Sequence, residues 1–148
     1  MDSLSHTYTY SLVPSHFRMF ELEPDCIRMF GFPSDTKFDD PALSTNEKFV
    51  KKGIALIVAV DIALSFLGPD LEPLEEQLVE LGTRHVARQC KPKHWPMVGV
   101  ALFFTLEQAL GAKFTKEIQD CWIVLYNFLG YHMIRGLIQN GGPTWEDN

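Results

Sequence analysis

An all-α chain is predicted by three features of the sequence. Proline and glycine cluster between apolar segments, at Pro24, Gly31 to Pro33, Pro41, Gly68-Pro69, Pro92, Pro96, Gly111 and Gly141 to Pro143, and cut the chain into helix-length pieces. Within those pieces apolar residues recur at intervals of three and four. No piece sustains the alternation of a half-buried strand, and the β-branched residues are scattered through helical patterns. At 148 residues with 46% apolar side chains, one domain can bury about two thirds of the surface its unfolded chain exposes and needs no disulfide or metal staple.

The elements follow in order. Residues 1–14 lack an apolar period and end in Pro14, which predicts a flexible N-terminal tail; the folded domain is expected over residues 15–140 and a C-terminal tail over 141–148. Helical pattern begins near Ser15, carries Phe17 and Phe20, and stops before Pro24. An aromatic loop comes next, Met29-Phe30-Gly31-Phe32-Pro33. From about Thr45 to Leu67, Phe49, Leu56, Val60, Leu64 and Leu67 mark one face of a helix, and Gly53, Ala55, Ala59 and Ala63 would let other helices approach its backbone. Between Pro69 and Arg88 the stripe is sharper: Leu71, Leu74, Leu78 and Leu81 oppose Glu72, Glu75, Glu76 and Glu80, and the next stripe position is His85. Trp95, Val98, Leu102, Leu106 and Leu110 share a face from Lys93 to Leu110, where Gly111 ends the helix. Thr115 is a predicted N-cap, with Glu117 in the first turn and Ile118, Trp122, Leu125, Leu129 and His132 directed inward.

Charge and composition narrow the function. Nineteen acidic against 13 basic side chains give a net charge of -6, and the longest basic run is Lys51-Lys52. That offers no footprint for a phosphate backbone, so no nucleic-acid partner is expected. The longest uninterrupted apolar run, Ile54 to Val60, is far short of a membrane span, and the start MDSLSHTYTYS is polar. No membrane association is expected. Cys26, Cys90 and Cys121 have no CxxC spacing and read as reduced thiols, which points to a cytoplasmic protein. Cys26 and Cys121 are expected as inert residues of helical segments, Cys90 as the exposed thiol.

His85 is the first candidate for chemistry. A histidine on an apolar stripe can be a core residue bonded to a carbonyl, or a metal ligand. A helix ending in histidine, facing the long helix from Thr45 and roofed by the aromatic loop, can form a flat apolar slot. Such a slot suits a planar macrocycle whose iron takes an axial imidazole. His85, Cys90 and His94 match no structural zinc spacing, and His132 reads as a core or boundary histidine. No nucleophile triad, paired-carboxylate site or phosphate-cradling loop is present in the sequence.

Four segments carry a resemblance: FRMFELEPDCIRMFGFP (Phe17 to Pro33), LEEQLVELGTRHV (Leu74 to Val86), VGVALFFTLEQALGAKFT (Val98 to Thr115) and CWIVLYNFLGYHM (Cys121 to Met133). In that order and spacing they resemble the globin family, and most of all its neuroglobin-like single-domain members. The resemblance implies a three-over-three globin fold and haem b as cofactor. It makes His85 the proximal iron ligand, Phe30 the phenylalanine packed on the haem face, Trp95 and Val98 apolar residues of the proximal pocket, and Leu56 the apolar guard of the ligand side. Asp61 and Trp122 set the register.

The distal position departs from the pattern. Globins of this group usually carry histidine three residues after the phenylalanine that is here Phe49 and nine before the aspartate that is here Asp61; both counts land on Lys52. Three readings are open. The stem of Lys52 can lie over the pocket mouth while its ammonium reaches solvent or a haem propionate. A neutral amine can bind iron as a sixth ligand, which high pH would favour. Or the register slips at this point, or the distal residue comes from another helix, His16 being the candidate. The first helix expected from the family pattern is not legible in the short stretch before Phe30, so the fold is expected to be N-terminally shortened.

The implied function is reversible binding of oxygen, carbon monoxide or nitric oxide at haem iron, in oxygen transport or storage. One alternative is redox work of the nitric-oxide dioxygenase or nitrite reductase type, which would need a separate reductase. Another is a degenerate, haem-free globin acting as an interaction module.

Overall fold

A computed structural model describes residues 19–21, 23, 24, 26–37 and 40–147. The expected N-terminal tail and His16 lie outside the described residues. Six α-helices are assigned: α1 (Cys26–Met29), α2 (Pro41–Ser44), α3 (Glu47–Ser65), α4 (Glu72–Val86), α5 (His94–Leu110) and α6 (Lys116–Gln139), with a 3-10 turn at Gly111–Lys113. Residues 19–21 are also helical, and no strand occurs among the described residues. The chain divides into two compact units, residues 1–60 with 97–114, and residues 61–96 with 115–148.

The first unit is organised by its aromatic residues. Met19, Phe20, Cys26, Ile27, Leu43, Phe49 and Ala101 form its buried core. Asp40 caps α2 by accepting from Ala42 N at 2.9 Å, with Pro41 at the first helical position, where its missing N–H costs nothing. This short helix displaces the start expected at Thr45. Thr45 Oγ1 instead donates back to Ala42 O, and Asn46 Oδ1 accepts from Lys48 N at 3.0 Å as α3 begins. The buried face of α3 also differs from expectation. Leu64 and Leu67 are 39% and 47% exposed, whereas Ala63 is 3% exposed. Ala63 packs with Leu74, Leu78 and Leu129 in the second unit's core. Ala63 is one of the small residues expected to let another helix approach, and it is buried in that way, while Leu64 and Leu67 of the expected face are not.

In the second unit α4 runs against α6 through two glycines. A Cβ on Gly82 would lie 1.9 Å from Met133 O, and one on Gly136 would lie 2.0 Å from Val79 O. No larger residue fits at either place. Leu74 and Leu78 are buried, while Leu81 and His85 farther along the stripe are half-buried. Asp70 Oδ1 accepts from Glu72 N at 3.1 Å at the start of α4, and Glu72 and Glu75 oppose the positive end of the helix dipole. The predicted cap of α6 forms, Thr115 Oγ1 accepting from Ile118 N at 3.4 Å. Leu129 and His132 are buried as expected, but Ile118 is exposed in that first turn.

The helix ends of this unit share one design. At α4, Cys90 N donates to His85 O and Gln89 N to Val86 O, with Gln89 at φ 57°. At α6, Gly142 N donates to Leu137 O and Gly141 N to Ile138 O, with Gly141 at φ 80°. Both are Schellman ends. The first tucks Cys90 inward, so that thiol is buried and not exposed as expected, while Cys121 is the exposed one. His94–Lys113 is one helix long and apolar enough, by length and composition, to cross a membrane. The count of uninterrupted apolar residues overlooked it because Thr105, Glu107 and Gln108 break the run.

Candidate functional site

His85 occupies the last turn of α4. Its Nδ1 lies 2.7 Å from Leu81 O, one turn earlier on the same helix. A carbonyl only accepts, so Nδ1 carries the proton and the ring's lone pair is on Nε2. The Trp95 ring stands 5.7 Å from the imidazole at 52°. Trp95 is held in turn from α6: Tyr126 donates its hydroxyl to Trp95 O at 2.6 Å, and burial pushes the Tyr126 phenol pKa upward. His94, buried beside Trp95, accepts from Lys91 N through Nδ1 at 2.8 Å. Its lone pair thus serves the turn before α5, in contrast to His85. Of the residues singled out in the sequence, His85 and Trp95 come together here; Tyr126 has no sequence signal, while the Leu81 carbonyl follows from helix spacing alone.

The first unit brings together Phe30 and Val98, both packed on its core. Phe30 meets Phe20 edge-on with ring centroids 5.2 Å apart, Phe20 lies 6.0 Å from Phe49, and Phe32 lies 6.4 Å from Phe49. Gly31, at φ 84°, makes the turn that separates Phe30 from Phe32. Phe20, expected on the first helical pattern, joins the two halves of this cluster. On α3, Lys52 follows buried Phe49 by three residues and Leu56 follows Lys52 by four; both are half-buried.

A metal-ligating histidine usually has its other ring N–H held by a carbonyl or carboxylate, as the Leu81 carbonyl holds His85 Nδ1. His85 fits a haem iron by the chemistry of its donor atom. The globin family profile matches residues 15–133. The chain is 32% identical over 124 residues to the neuroglobin of Tetraodon nigroviridis and 29% identical over 124 residues to that of Danio rerio, each match covering 84% of this chain and 77% of the relative. Among solved structures it is similar to a hexacoordinated haem protein from an anhydrobiotic tardigrade, with a TM-score of 0.77 and 17% identity over 89% of this chain and 84% of that one. The chain belongs to the globin family and has the globin fold. Haem binding is the implied property of that family, and neuroglobins are its relatives within it.

Proposed function

We propose that this globin binds haem b through His85 and reversibly binds oxygen or another diatomic gas at ferrous iron, in transport or storage within the cytoplasm. The observation that carries the reading is the Nδ1 contact of His85 with Leu81 O at 2.7 Å. It selects the tautomer whose Nε2 can donate to a metal, and it holds the ring plane against rotation. Trp95 packs beside that ring, and Tyr126 ties the Trp95 backbone to α6. By the family resemblance, Phe30, Val98 and Leu56 would supply apolar surface that excludes water from the cofactor. Bound haem supplies the iron at which the gas is held.

Lys52 takes the distal role in this reading. An ammonium on a flexible four-carbon stem donates less directionally than an imidazole N–H, so oxygen is retained less well than in a distal-histidine globin. Lys52→His is expected to slow oxygen dissociation, measured by stopped flow; an unchanged rate would remove Lys52 from the distal side. A second reading is suggested by the structurally similar tardigrade haem protein, which is hexacoordinated. Here the Lys52 amine, deprotonated, would be the sixth ligand. A six-coordinate ferrous spectrum that becomes five-coordinate in Lys52→Ala supports it. Nitric-oxide dioxygenation or nitrite reduction would require a separate reductase, and steady consumption of nitric oxide on adding one would favour that role.

A further inference from the structure

The crossing of α4 and α6 lies one turn before His85. Gly82 gives its Cα surface to Met133 O, and Gly136 gives its own to Val79 O, so the contact is reciprocal, each helix contributing a glycine and the carbonyl three residues before it. Beside it sits a polar clasp. Asn140 Nδ2 donates to Thr83 Oγ1 at 2.9 Å and to Gly136 O at 2.9 Å. Thr83 Oγ1 is 3.0 Å from Val79 O and 3.4 Å from Gly136 O. Every partner in this clasp is a residue of the glycine contact or its immediate neighbour.

The link to His85 is a single peptide group. Leu81 O, which holds His85 Nδ1, belongs to the peptide bond between Leu81 and Gly82. That peptide bears the imidazole on its carbonyl side and the backbone of α6 on its glycine side. Peptide planarity makes the two ends one rigid plate, so displacing Gly82 from Met133 O tilts the carbonyl that aims the ring. We infer that the Gly82–Gly136 crossing, clasped by Thr83 and Asn140, sets the orientation of the His85 imidazole, the group that would hold the haem iron. The inference rests on the reading of His85 as the axial ligand. Gly82, Thr83, Gly136 and Asn140 are positioning residues: none donates an atom to the cofactor, and they act through the Leu81 carbonyl.

The test is the iron–histidine stretching band in resonance Raman spectra of the full-length, haem-loaded protein, recorded on the five-coordinate species formed by photolysis of its carbon monoxide complex. Thr83→Val keeps the volume but removes the hydroxyl, and Asn140→Ala opens the clasp from the other side. Both are expected to shift or split the band, while Thr83→Ser retains the wild-type position. Thr83→Val should also lose haem roughly 10-fold faster, the lower end of the range for partners that orient a metal ligand. Gly136→Ala should move the band furthest; if that variant does not fold, the two milder ones still decide. A lowered melting temperature with the band unmoved in Thr83→Val and Asn140→Ala would overturn the inference and leave the crossing as packing alone. If the wild-type protein shows no such band, or His85→Ala keeps it, the assignment of His85 fails first and takes the inference with it.

Discussion

His132 on α6 is a buried imidazole whose Nδ1 has no hydrogen-bond partner and lies 3.8 Å from Glu75 Oε2 on α4. Its ring is flanked by Phe128 at 4.6 Å and Tyr131 at 5.0 Å. Desolvation lowers its pKa below the ordinary 6.5; the Glu75 carboxylate opposes that shift, and Arg135 reinforces it. The unfolded chain therefore takes up this proton at higher pH than the folded one does. The stability it contributes is complete above pH 6.5 and is lost as pH falls from 6.5 through the lower folded value. In His132→Gln the acid limb of a melting-temperature titration should flatten; a limb as steep as wild type would assign the acid sensitivity to other groups. The inward position of this histidine was legible from its place on the α6 stripe. Its missing partner was not, because Glu75 meets it only through the crossing of two helices far apart in sequence. Lys52 shows the same division: its identity follows from spacing to Phe49 and Asp61, but nothing in the spacing says whether its amine reaches iron.

At the scale of elements, the two helix ends of the second unit invite comparison. α6 ends on Gly141, where φ 80° carries no steric penalty, while α4 ends on Gln89 at φ 57°, a left-handed conformation that crowds its Cβ against the backbone. Gln89→Gly should raise unfolding free energy by about 1 kcal/mol, read from denaturant midpoints, with no change in the bonds made by His85 and Val86 carbonyls. A lower midpoint would mean that the Gln89 side chain contributes more than its backbone costs. The long helices were legible because leucine and glutamate alternate at helical period in α4 and because Thr115 and Gly111 punctuate α6 and α5. The short helices α1 and α2 were not, since four residues are too few for a period. The α3 face was misjudged at Leu64 and Leu67, whereas the close approach at Ala63 was legible from its small size.

For the whole molecule, four sequence segments carried the family assignment, and the profile match over residues 15–133 agrees with it. Composition alone reached only an acidic chain; periodicity made it all-helical and set His85 on an apolar stripe, and the order and spacing of motifs gave His85 its expected role as iron ligand. The Tyr126 bond behind Trp95 was not legible, since it joins a side chain to a backbone atom 31 residues away, whereas the Leu81 carbonyl beside His85 follows from helix spacing. The central claim is that His85 is the axial ligand of a bound haem. The measurement that meets it most directly is the absorption spectrum of the purified full-length protein, with haem added, in the ferric, ferrous and carbon monoxide states, compared with His85→Ala. The account predicts a Soret band that shifts on reduction and on adding carbon monoxide, and a His85→Ala protein that loses the band or binds haem with a different spectrum. No Soret band after haem addition, or a His85→Ala spectrum identical to wild type in all three states, would contradict it; the first result would instead support a haem-free globin acting as an interaction module.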